Sequence, residues 1–238
     1  MKSFFVTGTD TGVGKTVIST GLSSFFSIRK KIMVGVMKPF ETGYKRLKKG
    51  IYLQDSFSLK KASGSMDSLE IICPYAFKEP LAPEPASKFD RVTIKLAMLD
   101  KIYKEMLTRH DIVIVEGAGG ILVPIKKGFF FADLIKRWDI PVLIVARLGL
   151  GTINHMLLTA QYLQSKEIKI IGVILNDIDG IKTKATQTNP SLLKRYLKVP
   201  ILGIFPHIKG FPEKRLNREL LAATVAKHID TETILKSP

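Results

Sequence analysis

Apolar positions along this chain gather into short, dense runs separated by longer stretches of mixed character. The runs are Ser3-Phe4-Phe5-Val6-Thr7, Ile32-Met33-Val34-Gly35-Val36, Asp111-Ile112-Val113-Ile114-Val115, Pro141 to Ala146, Ile170 to Leu175 and Pro200 to Phe205. Each is four to six residues of mostly β-branched or aromatic character, the pattern of a strand buried on both faces. Between them lie helical stretches, from Lys15 to about Ile28 and from Gly151 to about Lys166. Strands of this kind joined by helices predict a doubly wound α/β fold, a mostly parallel sheet flanked by helices. Most runs end at Gly, Asn, Asp or Pro, residues suited to loops at the carboxyl edge, where open α/β sheets bind ligands.

The pattern weakens between the second run and Arg91. Phe40 to Gly50 is polar and basic and reads as a mobile loop. Lys78 to Ala86 holds Pro80, Pro83 and Pro85 and reads as an irregular binding loop rather than helix or central strand. There is no solenoid repeat and no low-complexity linker, so residues 1–238 are expected to form one domain.

Composition narrows the class. The chain is 45% hydrophobic, enough for a core that needs no disulfide or structural metal. Cys73, the one cysteine, lies in the apolar stretch Ile71-Ile72-Cys73-Pro74 and reads as a small buried hydrophobe. With no leader pattern and no apolar run long enough to span a bilayer, a cytoplasmic protein with no membrane partner is expected. Lys and Arg number 37 against 21 Asp and Glu, a formal charge of +16. The basic residues are scattered, as in Arg29-Lys30-Lys31, Lys45-Arg46, Lys48-Lys49 and Lys126-Lys127, and seldom alternate with aromatics. That favours solvated faces over a nucleic-acid surface.

The sharpest chemistry follows the first run. Gly8-Thr9-Asp10-Thr11-Gly12-Val13-Gly14-Lys15-Thr16 stands directly between a strand and a helix. Glycines let the backbone wrap closely enough to aim several N–H groups at phosphate oxygens, and the helix amino terminus adds a favourable dipole. In such a P-loop Lys15 reaches the terminal phosphates and the Thr16 hydroxyl ligates Mg²⁺. Thr9 stands where the general pattern has glycine, with Gly8 one residue earlier. The strand–loop–helix setting makes the assignment.

Glu116 follows the third run, where a P-loop site places the acid that holds Mg²⁺ or its water, and Gly117, Gly119 and Gly120 leave the backbone open to phosphate. Lys38 closes the second run; position alone allows either a snorkelling surface lysine or a charge facing an anion. Asp55 begins a helix and on its own reads most simply as an N-terminal cap rather than a metal ligand. Asn176, ending the fifth run, suits either a base edge or a turn. No histidine has metal-site spacing to a second ligand, and there is no Ser-His-Asp arrangement.

Taken in order, these segments resemble the dethiobiotin synthase family over most of the chain. The likeness rests on Gly8-Thr9-Asp10-Thr11 with Val13-Gly14-Lys15-Thr16, Lys38-Pro39-Phe40-Glu41-Thr42-Gly43, Asp55, Pro74-Tyr75 with Leu81-Ala82-Pro83, Glu116-Gly117-Ala118-Gly119-Gly120, Leu148 to His155, Asn176-Asp177 and the Pro206 turn. It implies a homodimer that closes the ureido ring of dethiobiotin from 7,8-diaminononanoate, CO₂ and ATP. One amine takes up CO₂ as a carbamate, a carbamate oxygen attacks the γ-phosphate, and the second amine displaces phosphate from the mixed anhydride.

The resemblance also implies roles. Gly12, Val13, Gly14, Lys15, Thr16 and Val17 would hold phosphates, and Thr16, Asp55 and Glu116 would hold Mg²⁺. Lys38 would stabilise the carbamate and the transferring phosphoryl group, Lys15 would neutralise the leaving ADP, and Thr11 would sit beside the reacting phosphate. Thr42 would contact the substrate nitrogen. Gly117, Ala118, Gly119 and Asp177 would border the nucleotide, and Asn176 would read the adenine, assisted by the segment Pro206-His207-Ile208. Gly151, Thr152 and Asn154 would present a helix N-terminus to the substrate carboxylate across the dimer interface, joined by Asn189. The chain departs from the family at Gly12, acidic in many relatives, and at Glu84, commonly histidine. The rival class is a partitioning or positioning ATPase that binds DNA or membranes; its signature lysine would stand at Asp10, which is an acid.

Overall fold

The computed structural model describes residues 3–47, 50–209 and 216–237. In chain order it runs β1 (Ser3–Gly8), α1 (Lys15–Arg29), β2 (Val34–Met37), β3 (Phe40–Thr42), β4 (Lys45–Leu47), β5 (Gly50–Tyr52), α2 (Gln54–Ser63) and α3 (Leu69–Ile72). It continues through β6 (Tyr75–Phe77), α4 (Pro83–Phe89), α5 (Leu96–Arg109), β7 (Ile112–Glu116), β8 (Pro124–Lys126), β9 (Phe129–Phe130) and α6 (Phe131–Trp138). The last part is β10 (Val142–Arg147), α7 (Thr152–Ser165), β11 (Ile170–Asn176), α8 (Lys184–Tyr196), β12 (Ile201–Phe205), α9 (Arg218–His228) and α10 (Thr231–Lys236).

The six apolar runs are the six strands of one sheet, in the order β12-β11-β10-β1-β7-β2 with every pairing parallel. Side chains alternate faces along each strand. Phe4 and Val6 of β1, Ile112 and Ile114 of β7, and Leu143 and Val145 of β10 enter one core with α1, α2 and α9. Phe5, Val113, Val115, Ile144 and Ala146 enter the other with α5, α6, α7 and α8. Both faces of every central strand are thus covered, which is why these runs carry no polar alternation. Each fully buried Phe, Leu or Ile contributes about 1.5–3 kcal/mol relative to exposure.

The order places β1 centrally. The chain first builds outward through β2 with β7 filling the gap, then crosses to β10, β11 and β12 on the other side. Such a switch opens a crevice at the carboxyl ends of the strands, and the P-loop lies there.

Two expectations are corrected. The segment 40–50, read as a mobile loop, instead holds β3, paired in parallel with β6, and β4, paired antiparallel with β5. Its low apolar content concealed strands that need only backbone partners. Lys48 and Lys49 of that segment, like Met1 and Lys2, lie outside the described residues. The proline-rich stretch contains a helix, α4, with Pro83 first and Pro85 third. The N–H groups of a first turn have no intrahelical partner, so prolines there sacrifice no bond; the first helical bond runs from Ala86 N–H to the Ala82 carbonyl at 3.0 Å.

Cys73 is buried and close to Glu41, as its apolar setting implied; burial pushes its thiol up to about 12, with the Glu41 carboxylate adding to the shift. Among the described residues no helix is long and apolar enough to cross a membrane.

Candidate active site

The P-loop leaves β1 through a turn in which Asp10 Oδ1 accepts the Thr11 N–H at 2.7 Å. It enters α1 through Gly14, whose φ of 92° is left-handed. That position is closed to a side chain twice over, because a Cβ there would lie 1.9 Å from Asn176 Nδ2. Lys15 folds back, and its Nζ donates to the Asp10 carbonyl at 3.1 Å. Burial, with the nearby Lys38 charge second, pushes its pKa down to about 8.

Behind the loop stands a buried charge cluster. Lys38, 3% exposed just after β2, donates to Glu116 Oε1 at 2.6 Å and to the Gly117 carbonyl at 3.1 Å, and pairs with Asp55 Oδ2 at 3.0 Å. Burial works against its charge, but Glu116 and then Asp55 outweigh burial and hold its pKa above the ordinary lysine value. Burial likewise opposes ionisation of Asp55, and Lys38 reverses this, so Asp55 titrates below the usual carboxylate range. Thr16 donates its hydroxyl to Glu116 Oε1 at 2.8 Å.

Position had left Lys38 undecided and had favoured an N-cap for Asp55; the fold corrects the second reading and joins the two residues. Lys38 does not snorkel to the surface, and the carboxylate of Asp55 is turned to Lys38 while Leu53 holds the N-cap position of α2 with no side-chain cap.

These groups surround a cleft of about 540 Å³. Thr11, Gly12, Gly14, Lys15, Thr16, Val17, Lys38, Thr42, Asp55, Ala118 and Gly119 all line it. Glu116 lies beneath, fully buried, and its Oε2 has no hydrogen-bond partner. An orphaned buried carboxylate oxygen beside a hydroxyl and a second carboxylate is the hard-oxygen donor set that suits Mg²⁺.

The remaining expected residues form two further groups. Asn176 is buried at the end of β11, and its Nδ2 donates to the Val13 carbonyl at 3.0 Å, so its amide supports the P-loop. Asp177 N–H donates to the Phe205 carbonyl at 2.9 Å, and His207 Nδ1 lies 2.6 Å from the Ile178 carbonyl. The segments 176–180 and 205–208 are thereby tied together beside Asn176.

Gly151, Thr152 and Asn154 open α7 and do not line the cleft of their own chain. Gly151 has φ 86°, and the Thr152 hydroxyl is buried without a partner. Asn189 is buried, and its Nδ2 donates to the carbonyls of Leu148 at 3.0 Å and Gly149 at 2.8 Å. Its amide N–H groups therefore brace the turn into α7.

Sequence reasoning placed no role on Glu41 or Val123 and named Pro80, Leu81, Ala82 and Pro83 only as part of a binding loop; all of them border the cleft. For Glu41 the signal was a carboxylate inside Lys38-Pro39-Phe40-Glu41-Thr42-Gly43; for Leu81-Ala82-Pro83 it was a proline-rich stretch in a position suited to binding.

Comparison with known proteins adds three findings. A family model described as an AAA domain matches residues 2–215. The chain is 40% identical over 235 residues to the ATP-dependent dethiobiotin synthetase BioD of Bacillus licheniformis, covering 99% of this chain and 96% of that protein. It is 38% identical over 239 residues to the protein of the same name from Nitrosopumilus maritimus, covering 99% and 100%. Among solved structures it resembles a ParA family ATPase from Chlorobium tepidum, with TM-score 0.55 and 16% identity over 99% of this chain and 93% of that one. It also resembles a putative plasmid partition protein from Borrelia burgdorferi bound to AMPPNP, with TM-score 0.56 and 13% identity over 99% and 98%. At such low identity these last two speak for the α/β P-loop fold alone.

Proposed function

Because the chain belongs to the ATP-dependent dethiobiotin synthetase family, we propose that the cleft over its P-loop is where ATP and the diamine meet. The activity is that of a ligase in biotin biosynthesis, and it uses ATP. The observation that carries the site assignment is Lys38, a buried cation held between Glu116 and Asp55 at the wall of the phosphate cleft.

Each residue then has a defined task. Backbone N–H groups of residues 12–17 and the amino terminus of α1 receive the phosphates. Lys15 releases the Asp10 carbonyl and turns to the terminal phosphates. Thr16, Asp55 and Glu116 hold Mg²⁺, which when bound neutralises phosphate charge. Lys38 faces the carbamate and the moving phosphoryl group, Thr42 meets the substrate nitrogen, and the Thr11 hydroxyl lies beside the reacting phosphate. The carbamate oxygen bonds to the γ-phosphorus as ADP departs; the second amine then attacks the carbonyl carbon and phosphate leaves. Phosphoryl transfer depends mostly on positioning and charge neutralisation, which is what this cluster offers.

Gly117, Ala118, Gly119, Asn176, Asp177 and residues 206–208 border the nucleotide. Gly151, Thr152 and Asn154 receive the substrate carboxylate from the neighbouring subunit of a homodimer, and Asn189 serves that contact by bracing the turn before them. The protein acts as a single domain in the cytoplasm. The partitioning ATPase reading draws only on the fold; at Asp10, where it needs a lysine, the acid instead shapes the loop.

The test is phosphate release from MgATP and bicarbonate, with and without 7,8-diaminononanoate, in wild type and Lys38→Ala. Diamine-dependent release that is lost in Lys38→Ala supports the site. Release that ignores the diamine but rises with DNA or lipid vesicles overturns it.

A further inference from the structure

Glu41 has no part in the tasks above, yet its carboxylate is buried, 6% exposed, at the floor of the cleft. It sits on β3 between Phe40, which is in the core, and Thr42, which lines the cleft. Among the described residues no lysine or arginine forms an ion pair with it. Both oxygens point instead at the first turn of α2. Oε1 accepts the Asp55 N–H at 3.0 Å, and Oε2 accepts the Ser56 N–H at 2.9 Å together with the Ser56 hydroxyl.

A helix ordinarily finds this support in its own N-cap residue. Here that residue is Leu53, which provides none. The chain therefore keeps a carboxylate out of water, which is costly, to support a helix start that most helices support through their own N-cap side chain. What a local cap cannot do is tie α2 to another strand. Lys38 and Glu41 flank Pro39 and Phe40 on one short segment, and both grip the same residue: Lys38 takes the side chain of Asp55 and Glu41 takes its backbone.

We propose that Glu41 is a positioning residue for the reaction, anchoring the amino terminus of α2 to the segment bearing Lys38 and so setting where Asp55 meets Lys38. The inference rests on the roles proposed for Lys38 and Asp55. A displacement of about 1 Å in a group of this kind can cost roughly 100-fold in rate. The effect falls on turnover, because the P-loop that receives the nucleotide is not what Glu41 touches.

The experiment compares Glu41→Ala, Glu41→Gln and Asn217→Ala, the last removing the side chain that caps α9 through Leu220 N–H far from the cleft. Steady-state kcat and both KM values are measured beside amide hydrogen exchange at Asp55 and Ser56 in the free protein. The expected result is faster exchange at both amides in Glu41→Ala, with kcat down roughly tenfold or more and KM for ATP little changed. Glu41→Gln, which keeps one accepting oxygen, falls between, and Asn217→Ala leaves kcat and the α2 exchange as in wild type. If Glu41→Ala does not fold, Glu41→Gln carries the test through its exchange and kcat. Wild-type kcat despite accelerated exchange overturns the inference, as does an equal fall in Asn217→Ala. Lys38→Ala in the same assay separates the two layers. Retained turnover there removes the underlying reading, whereas its loss alongside a normal Glu41→Ala removes only the role of Glu41.

Discussion

Lys38 and Glu116 form an ion pair at 2.6 Å in which the lysine is 4% and the glutamate 0% exposed at the side chain. Neither charge has water to fall back on, so each depends on the other. Removing one partner of such a pair typically costs about 3–5 kcal/mol, while replacing both by apolar groups costs far less. Lys38→Met and Glu116→Leu are each expected to unfold at markedly lower urea concentration than wild type. The double variant should recover much of that loss while remaining without turnover. Additive losses in the double-variant cycle would show the two charges to be independent.

Asn176 holds the P-loop from the neighbouring strand end, through its bond to the Val13 carbonyl. Loss of one such bond is worth about 1 kcal/mol, so Asn176→Ala is expected to weaken ADP binding roughly three- to tenfold. Gly14→Ala is expected to be far worse, since the added Cβ meets the amide at 1.9 Å and the φ of 92° is unfavourable for alanine. Calorimetric titration of both variants with ADP measures the difference.

Burial pushes the Lys15 pKa down to about 8 in the folded protein, from the ordinary lysine value of 10.5. Between those two values the unfolded chain holds a proton that the folded chain has released. Stability therefore rises with pH from about 8 to about 10.5, and the cost of the buried charge is present in full below 8. Bound phosphates restore the charge, so ATP binding at pH 8.5 is expected to take up a proton. Titrations in buffers of different ionisation enthalpy detect it, and Lys15→Arg, which stays charged, should abolish it. Equal uptake in wild type and Lys15→Arg would assign the proton to another group.

Asn189 braces the turn into α7 through the carbonyls of Leu148 and Gly149. Asn189→Leu keeps the volume but leaves those carbonyls unpaired, at a cost of about 1–3 kcal/mol for each buried group. The expected outcome is a raised KM for the diamine with KM for ATP unchanged, because α7 opens away from the phosphate cleft. A rise in both would place the effect on general stability.

Much of this protein was legible along the chain. Six buried strands were readable because a strand covered on both faces must be apolar at nearly every position, and the P-loop because phosphate wrapping demands glycines at short spacing. Glu116 was readable from its place at a strand end, whereas the roles of Lys38 and Asp55 came into view through family resemblance, since nothing local to either distinguishes a buried ion pair from a surface charge. The hairpin of β4 and β5 was hidden because its partners are backbone groups, and the helix of Pro83–Phe89 because three close prolines argue against helix unless they fall at or before its first turn. Sequence alone determined the six strands of the main sheet and the P-loop between β1 and α1, because those features follow from neighbours a few residues apart. Tertiary structure alone decided that Glu41 supports Asp55, that the Asn176 amide meets Val13 and that Asn189 braces the α7 turn. A polar side chain can satisfy its hydrogen bonds in many ways, and only the packing of distant segments brings one particular partner to 3.0 Å.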